Sequence, residues 1–236
     1  SGAIVLWLIV LLKDKTISSK GSWLSALALF VYAAGFSFAY QHLSAATGAL
    51  LLFAAVQTTM IVWGLGQGER FQKEQWLGLL IAMVGLIALL LPGITAPPMS
   101  GSVLMLAAGI AWGVYSLRGK SDGNALQMTS GNFLRTVPLT LLCSLLMIDA
   151  VQVDARGLLF AIASGAVTSG IGYVIWYAAL PALKATTAAS VQLAVPVITA
   201  IGGIVLLNEA LSLRVILASI TILGGIAIII FVKKRT

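Results

Sequence analysis

Arg135 stands ten residues into an apolar run, Ala125–Ile148. A charge at bilayer mid-depth costs about 2.5–3.5 kcal/mol on insertion scales, so it must face a partner or a wet cavity. A guanidinium offers a fixed fork of N–H donors that suits a carboxylate, which makes Arg135 a candidate for holding an anionic group of a small molecule. The competing role is structural, with the side chain bonded to backbone carbonyls freed by Pro138. Gln57 and Gln192 lie within two other apolar runs and would seek a partner or a wet cavity. Gln192 sits one turn before Pro196, whose missing N–H loosens or kinks a helix and leaves a carbonyl open. Pro196 and Pro138 are thus candidate hinges or kinks. Trp112 and Tyr173, with Tyr115, Trp176 and Tyr177 nearby in sequence, suit an aromatic cavity wall; an interfacial belt is the plainer role for such rings.

Other chemistries lack their residues. The chain has one histidine, His42 in a loop, and one cysteine, Cys143, inside an apolar run. Zinc and haem sites need more such ligands, so no metal and no cofactor is expected. Ser169-Gly170 resembles a membrane serine nucleophile, but His42 is ill placed to serve as its base. Asp14, Glu69, Glu74, Asp122, Asp149, Asp154 and Glu209 all fall in loops or at elbows. No paired intramembrane carboxylates exist, and no enzyme is expected.

The elements that position these residues follow from composition. Of 236 residues, 60% are hydrophobic and 9% are charged, and the mean hydropathy is +1.05. A soluble domain carries about 25% charged residues, so lipid is the expected solvent. Nine apolar segments are readable: Gly2–Leu12, Trp23–Tyr40, Ser44–Gly66, Trp76–Gly93, Gly101–Arg118, Ala125–Ile148, Gly157–Leu180, Thr186–Leu207 and Ser212–Val232. In lipid the backbone must satisfy its own polar groups, so these are helices; the alternating ten-residue pattern of a β-barrel is not seen. The fold class is an all-α polytopic membrane protein.

The net charge of +7 points to lipid and topology rather than nucleic acid, because the basic residues sit in short loops. If the Lys13–Lys20 loop is cytoplasmic, then Arg70, Lys73, Arg118, Lys120, Lys184 and Lys233–Arg235 also fall inside. Arg156 and Arg214 alone fall outside. A multi-pass protein of the cell membrane with a cytoplasmic C-terminus is expected.

The run from Thr186 to Ile230 has an echo that begins at Ala46. Glu209 minus Glu69 is 140, and Gly225 minus Gly85 is again 140; Ala45 meets Ala185, Thr47 meets Thr187 and Thr59 meets Thr199 at the same offset. This reads as an internal duplication, with a first repeat over 1–96 and a second over 97–236. The copies lie five segments apart and so cross the membrane in opposite directions. Inverted repeats place a substrate site near the midplane, where the halves meet. Subtracting 140 leaves the first helix, and half of the second, without counterparts, so about nine segments of a ten-helix plan are expected, the first partial. Gly109-x-x-x-Gly113 and Ala161-x-x-x-Gly165-x-x-x-Ser169 are small-residue stripes for close helix packing, between the halves or between two copies in a homodimer. Glu69 and Glu209 mark tight elbows, where a carboxylate favours the positive N-terminal end of the helix that follows.

The order AALPALKATTAASVQLAVPVITAIGGIVLLNEAL, and GSVLMLAAGIAWGVYSLRGK before it, resemble the EamA-type permeases of the drug/metabolite transporter superfamily. The resemblance covers essentially the whole chain and is clearest from Gly101 onward. It implies ten helices in two inverted five-helix halves, both ends cytoplasmic, and movement of small metabolites, often outward. Val56 stands where the first copy should repeat Pro196. On this reading the chain is a secondary transporter of amino acids or related carboxylate-bearing compounds, working by alternating access in the bilayer. Arg135 attracts the substrate, and Gln192, Gln57, Trp112 and Tyr173 join it. The alternative is a non-transporting scaffold or inactive truncated relative of the same fold.

Overall fold

The structure is a computed structural model that describes residues 1–14, 20–91, 97–120, 124–150, 154–207 and 212–232. Among these residues there is no β-strand. The helices are α1 (Gly2–Asp14), α2 (Trp23–Ala39), α3 (Ala45–Gly66), α4 (Lys73–Leu90), α5 (Met99–Arg118), α6 (Ala125–Leu146), α7 (Ala155–Ala163), α8 (Gly172–Ala179), α9 (Ala185–Val191), α10 (Val195–Leu207) and α11 (Leu213–Phe231). A π-helical stretch, Ser164–Ile171, joins α7 to α8 into one span, and a 3₁₀ turn, Gln192–Ala194, joins α9 to α10. Among the described residues, six helical stretches are long and apolar enough to cross a membrane: 45–66, 73–90, 99–118, 155–182, 185–205 and 213–231. The chain is an all-α polytopic membrane protein. α1 and α2 are shorter apolar helices. α6 has the length of a span, but its buried face is polar, with Thr129, Ser130, Asn132 and Thr136.

The chain divides into two compact units. The first holds residues 1–33 and 114–182, the second residues 34–113 and 183–236. α2 and α5 contribute to both.

In the second unit α4 and α11 run antiparallel. Gln75 Nε2 donates to Ile229 O at 3.0 Å near one end. A methyl group built on Gly78 would lie 2.7 Å from Gly225 O, and one on Gly85 would lie 2.9 Å from Ile222 N and 3.1 Å from Ala218 O. As numbers rise along α4, the partners' numbers fall along α11. The stripes Gly78, Ala82, Gly85 and Ala218, Ile222, Gly225 correspond to each other at the 140-residue offset. Small residues bring the two backbones together where lipid supplies no hydrophobic drive. The bounds of α4 and α11, and the starts of α3 and α9, obey the same offset to within a residue.

In the first unit α2 and α6 run parallel, since Ser22 N donates to Asn132 Oδ1 (3.0 Å) and Thr136 Oγ1 to Ala26 O (3.3 Å). α1 packs on the π-helical stretch: a methyl group on Gly2 would run into Gly165 O, and one on Gly165 into Ser1 Oγ. The small-residue stripe of 161–169 therefore serves packing within the unit.

Candidate functional site

α3, α5 and α9 of the second unit bring three of the expected residues together. Pro196 has no N–H to offer Gln192 O, and that carbonyl accepts from Val195 N instead. Gln192 N in turn reaches only as far as Ala189 O. Those shortened bonds are the 3₁₀ turn, which is how a proline inside a span is accommodated. The loosened stretch is then used from outside. Gln57 on α3, 5% exposed, donates its Nε2 to Ala189 O at 2.6 Å. Trp112 Nε1 on α5 donates to Gln192 Oε1, while Gln192 Nε2 faces Met60 Sδ at 3.2 Å and Ala188 O at 3.3 Å.

These partners fix which way each amide points. An indole N–H can only donate and a carbonyl can only accept, so the orientations of Gln57 and Gln192 follow from the network. The consequence for Gln57 is that its Oε1 is turned away from Ala189. That oxygen is buried and accepts no hydrogen bond. Trp112 enters through its N–H, not as the cavity wall its ring suggests in the sequence. An open groove along α3, lined by Thr58, Thr59, Val62 and Trp63, does not include Gln57, Gln192 or Trp112.

Glu69 belongs to the same unit, and its position corrects the sequence expectation. α3 closes with Gly68 at φ +86°, Glu69 N donating to Gly64 O (2.9 Å) and Gly68 N to Leu65 O (3.1 Å). This is a Schellman ending, and it aims the Glu69 side chain at α9 rather than at α4. Oε1 accepts from Ala185 N (2.8 Å), and Oε2 from Thr186 N (3.0 Å) and Thr186 Oγ1 (2.7 Å). Gly64 leaves room, since a methyl group there would lie 2.7 Å from Glu69 Oε2. Glu209 lies outside the described residues.

Arg135 and Tyr173 belong to the first unit. Arg135 Nη1 donates to Gly131 O (2.9 Å) and Lys20 O (3.1 Å). Neither is the carbonyl that Pro138 deprives of a donor, which is that of Leu134; α6 remains helical through Pro138. Arg135 helps seat the turn that starts α2. There Gly21 has φ +104°, Ser22 Oγ accepts from Ser25 N (3.1 Å) and Arg118 Nη2 (3.1 Å), and Arg118 Nε donates to Ser25 Oγ (2.9 Å). Tyr173 lies edge-on to Phe133 and tilted against Tyr115, with centroids 5.9 and 6.2 Å apart. Tyr115 stacks on Tyr177 at 4.7 Å, Tyr177 Oη donates to Tyr115 O (2.9 Å), and Trp176 Nε1 donates to Ser116 Oγ (3.0 Å). The rings are buried, so a belt at the membrane surface does not describe Tyr115 or Tyr177.

Residues 99–231, more than half of the chain, match the profile of the EamA-like transporter family. The chain belongs to that family. It is therefore a membrane transporter by family, and the apolar helices are its spans. An uncharacterised protein of Pseudomonas aeruginosa is 48% identical over 231 residues, which are 98% of this chain and 80% of that one. A Salmonella typhimurium protein named as a probable amino-acid metabolite efflux pump is 27% identical, with 79% of this chain and 68% of that one covered. A crystal structure of 22% sequence identity matches with a TM-score of 0.83, covering all of this chain and 86% of the other; it supports the fold.

Proposed function

We propose that this EamA-like transporter moves amino acids or related small carboxylate-bearing metabolites outward across the cell membrane. Transport proceeds by alternating access between two inverted repeats, residues 1–96 and 97–236, with the C-terminus in the cytoplasm and with no enzymatic step. The observation that carries the reading is the meeting of Gln57, Gln192 and Trp112 at the broken part of the α9–α10 helix. Intramembrane polar groups are expensive and mark solute pathways, and unwound backbone beside them recurs in transporters built from inverted repeats. The Gln57 Oε1 acceptor suits an N–H donor such as an amino-acid ammonium. The efflux pump among the relatives supports both the substrate class and the direction. Antiparallel packing of α4 on α11, each at the other's 140-residue counterpart, supports the inverted arrangement. The basic ends support the orientation: Lys73 lies at the end of α4 that meets the end of α11 preceding Lys233, Lys234 and Arg235.

Arg135 in the first unit keeps the role of attracting the substrate, joined by Tyr173, whose ring lies against Phe133 of the helix that carries Arg135. Accumulation of radiolabelled amino acids and small carboxylates in inverted membrane vesicles tests the reading. At least one solute should move above the level of empty vesicles, and Gln57→Leu and Gln192→Leu should each lower its rate tenfold or more in normally inserted protein. No transport of any panel member, or parental kinetics in both variants, would refute it.

A further inference from the structure

Glu69 supplies something that α9 lacks. Ser44 caps α3, Asn124 caps α6, Asp154 caps α7 and Ser212 caps α11, each through its own side-chain oxygen. α9 starts after Lys184, which has no acceptor and makes no cap bond. Its first N–H groups still need partners, and they are met by a carboxylate 116 and 117 positions earlier in the chain. A residue-local cap moves with its helix. A borrowed one ties the helix to another element. Three donors on one half-buried carboxylate make this tie specific, and it holds the helix that carries Ala188 and Ala189, and that leads into Gln192, against the end of α3, the helix that carries Gln57 and Met60.

We propose that Glu69 is a positioning residue for transport, a tether that holds the start of α9 on the α3–α4 elbow and must release for α9 to swing away and open the Gln57–Gln192 region toward that elbow. This rests on the transport reading above, because a static scaffold has no use for a releasable tie. Each turn of α9 beyond the tie is closed in the state described: Ser190 is fully buried and donates its Oγ to Thr186 O at 2.9 Å.

The test uses the full chain with Cys143→Ser and one reporter, Ser190→Cys, in inverted membrane vesicles. The readout is the rate of modification by a membrane-impermeant maleimide. Removing the tie with Glu69→Ala should raise that rate about tenfold, the population shift expected from losing a helix cap of ordinary strength. Adding Lys184→Asp then gives α9 a cap of its own. A tether predicts that the double variant regains the parental melting temperature yet still labels fast. Return of the labelling rate to the parental value would show that Glu69 is only a cap and would overturn the proposal, as would unchanged labelling in Glu69→Ala. Should Glu69→Ala not insert, Glu69→Gln, which keeps one acceptor oxygen, replaces it with an intermediate rate expected and a parental rate fatal. Labelling needs no solute, so a chain that labels faster but moves nothing would sink the transport reading and leave the tether standing.

Discussion

Gly131→Ala sets two effects of opposite sign against each other. Alanine is the better helix former by about 0.8–1 kcal/mol, so at an unobstructed position of α6 the substitution would stabilise. Gly131 is not unobstructed. A methyl group there would overlap the Lys20 carbonyl oxygen, lie 2.6 Å from its carbon and come within 3.0 Å of Arg135 Nη1. The obstacle is backbone, so the turn before α2 has to retreat by about 2 Å to reach ordinary van der Waals separation. Retreat breaks the bond from Arg135 Nη1 to Lys20 O and that from Ser22 N to Asn132 Oδ1. One charge-assisted and one neutral bond are worth about 2.5–4 kcal/mol together, which exceeds the propensity gain and leaves a net loss of about 1.5–3 kcal/mol. Thermal and SDS unfolding of the purified protein, followed by tryptophan fluorescence, reads the sign directly. Gly224→Ala is the control, because that helical glycine has nothing within 4 Å of an added methyl group and should be neutral or stabilised by up to about 1 kcal/mol. If Gly131→Ala matches Gly224→Ala, the seating of α2 on α6 is wrong.

Two further outcomes follow from the second unit. Gly225→Val should cost more than about 2 kcal/mol in the same assay, since even the first added carbon would lie 2.6 Å from Ala82 N and 2.9 Å from Ala82 Cβ, and overpacking at a backbone contact cannot relax through a flexible side chain; parental stability would exclude the α4–α11 seam. Trp112→Phe keeps the ring and removes the N–H, leaving Gln192 Oε1 without its indole donor; a loss of about 1–3 kcal/mol and a raised KM for any transported solute are expected, and a silent variant would show that the indole bond orients nothing.

Much of the fold is legible in the sequence because lipid forces apolar segments into helices, and because the 140-residue offset survives in costly residues such as Gly85, Gly225 and Glu69. Pro196 announces the 3₁₀ turn, since a missing N–H has a fixed backbone consequence. What the sequence hides are contacts made at long range. Apolar segments such as α3 and α10 look much alike on every face, so pattern does not say that Gln57 reaches Ala189 or that Trp112 finds Gln192. Glu69 reads as an elbow residue for α4, and only Gly68, with its backbone in the left-handed region, hints that the chain reverses and points the carboxylate elsewhere. Arg135 looks like a guanidinium in search of an anion; its Nη1 meets two carbonyls because α2 starts well along α6, a stagger that single-chain periodicity does not encode. The π-helical stretch within 155–182, which packs on α1, has likewise no announcement in the local sequence.

The seam between α4 and α11 has a property that neither helix has alone. Position 78 touches 225 as 85 touches 218, and 82 touches 225 as 85 touches 222, so exchanging the two helices by the offset returns the same set of contacts. That is the rule a two-fold axis imposes on identical partners. A substitution in either stripe is met by the other stripe at the place the two-fold relates to it, and the two cannot drift apart in shape without opening a gap on both sides at once. The pairing rule is thus written twice, once in each repeat, although Ala218 and Ile222 stand where the first copy has Gly78 and Ala82.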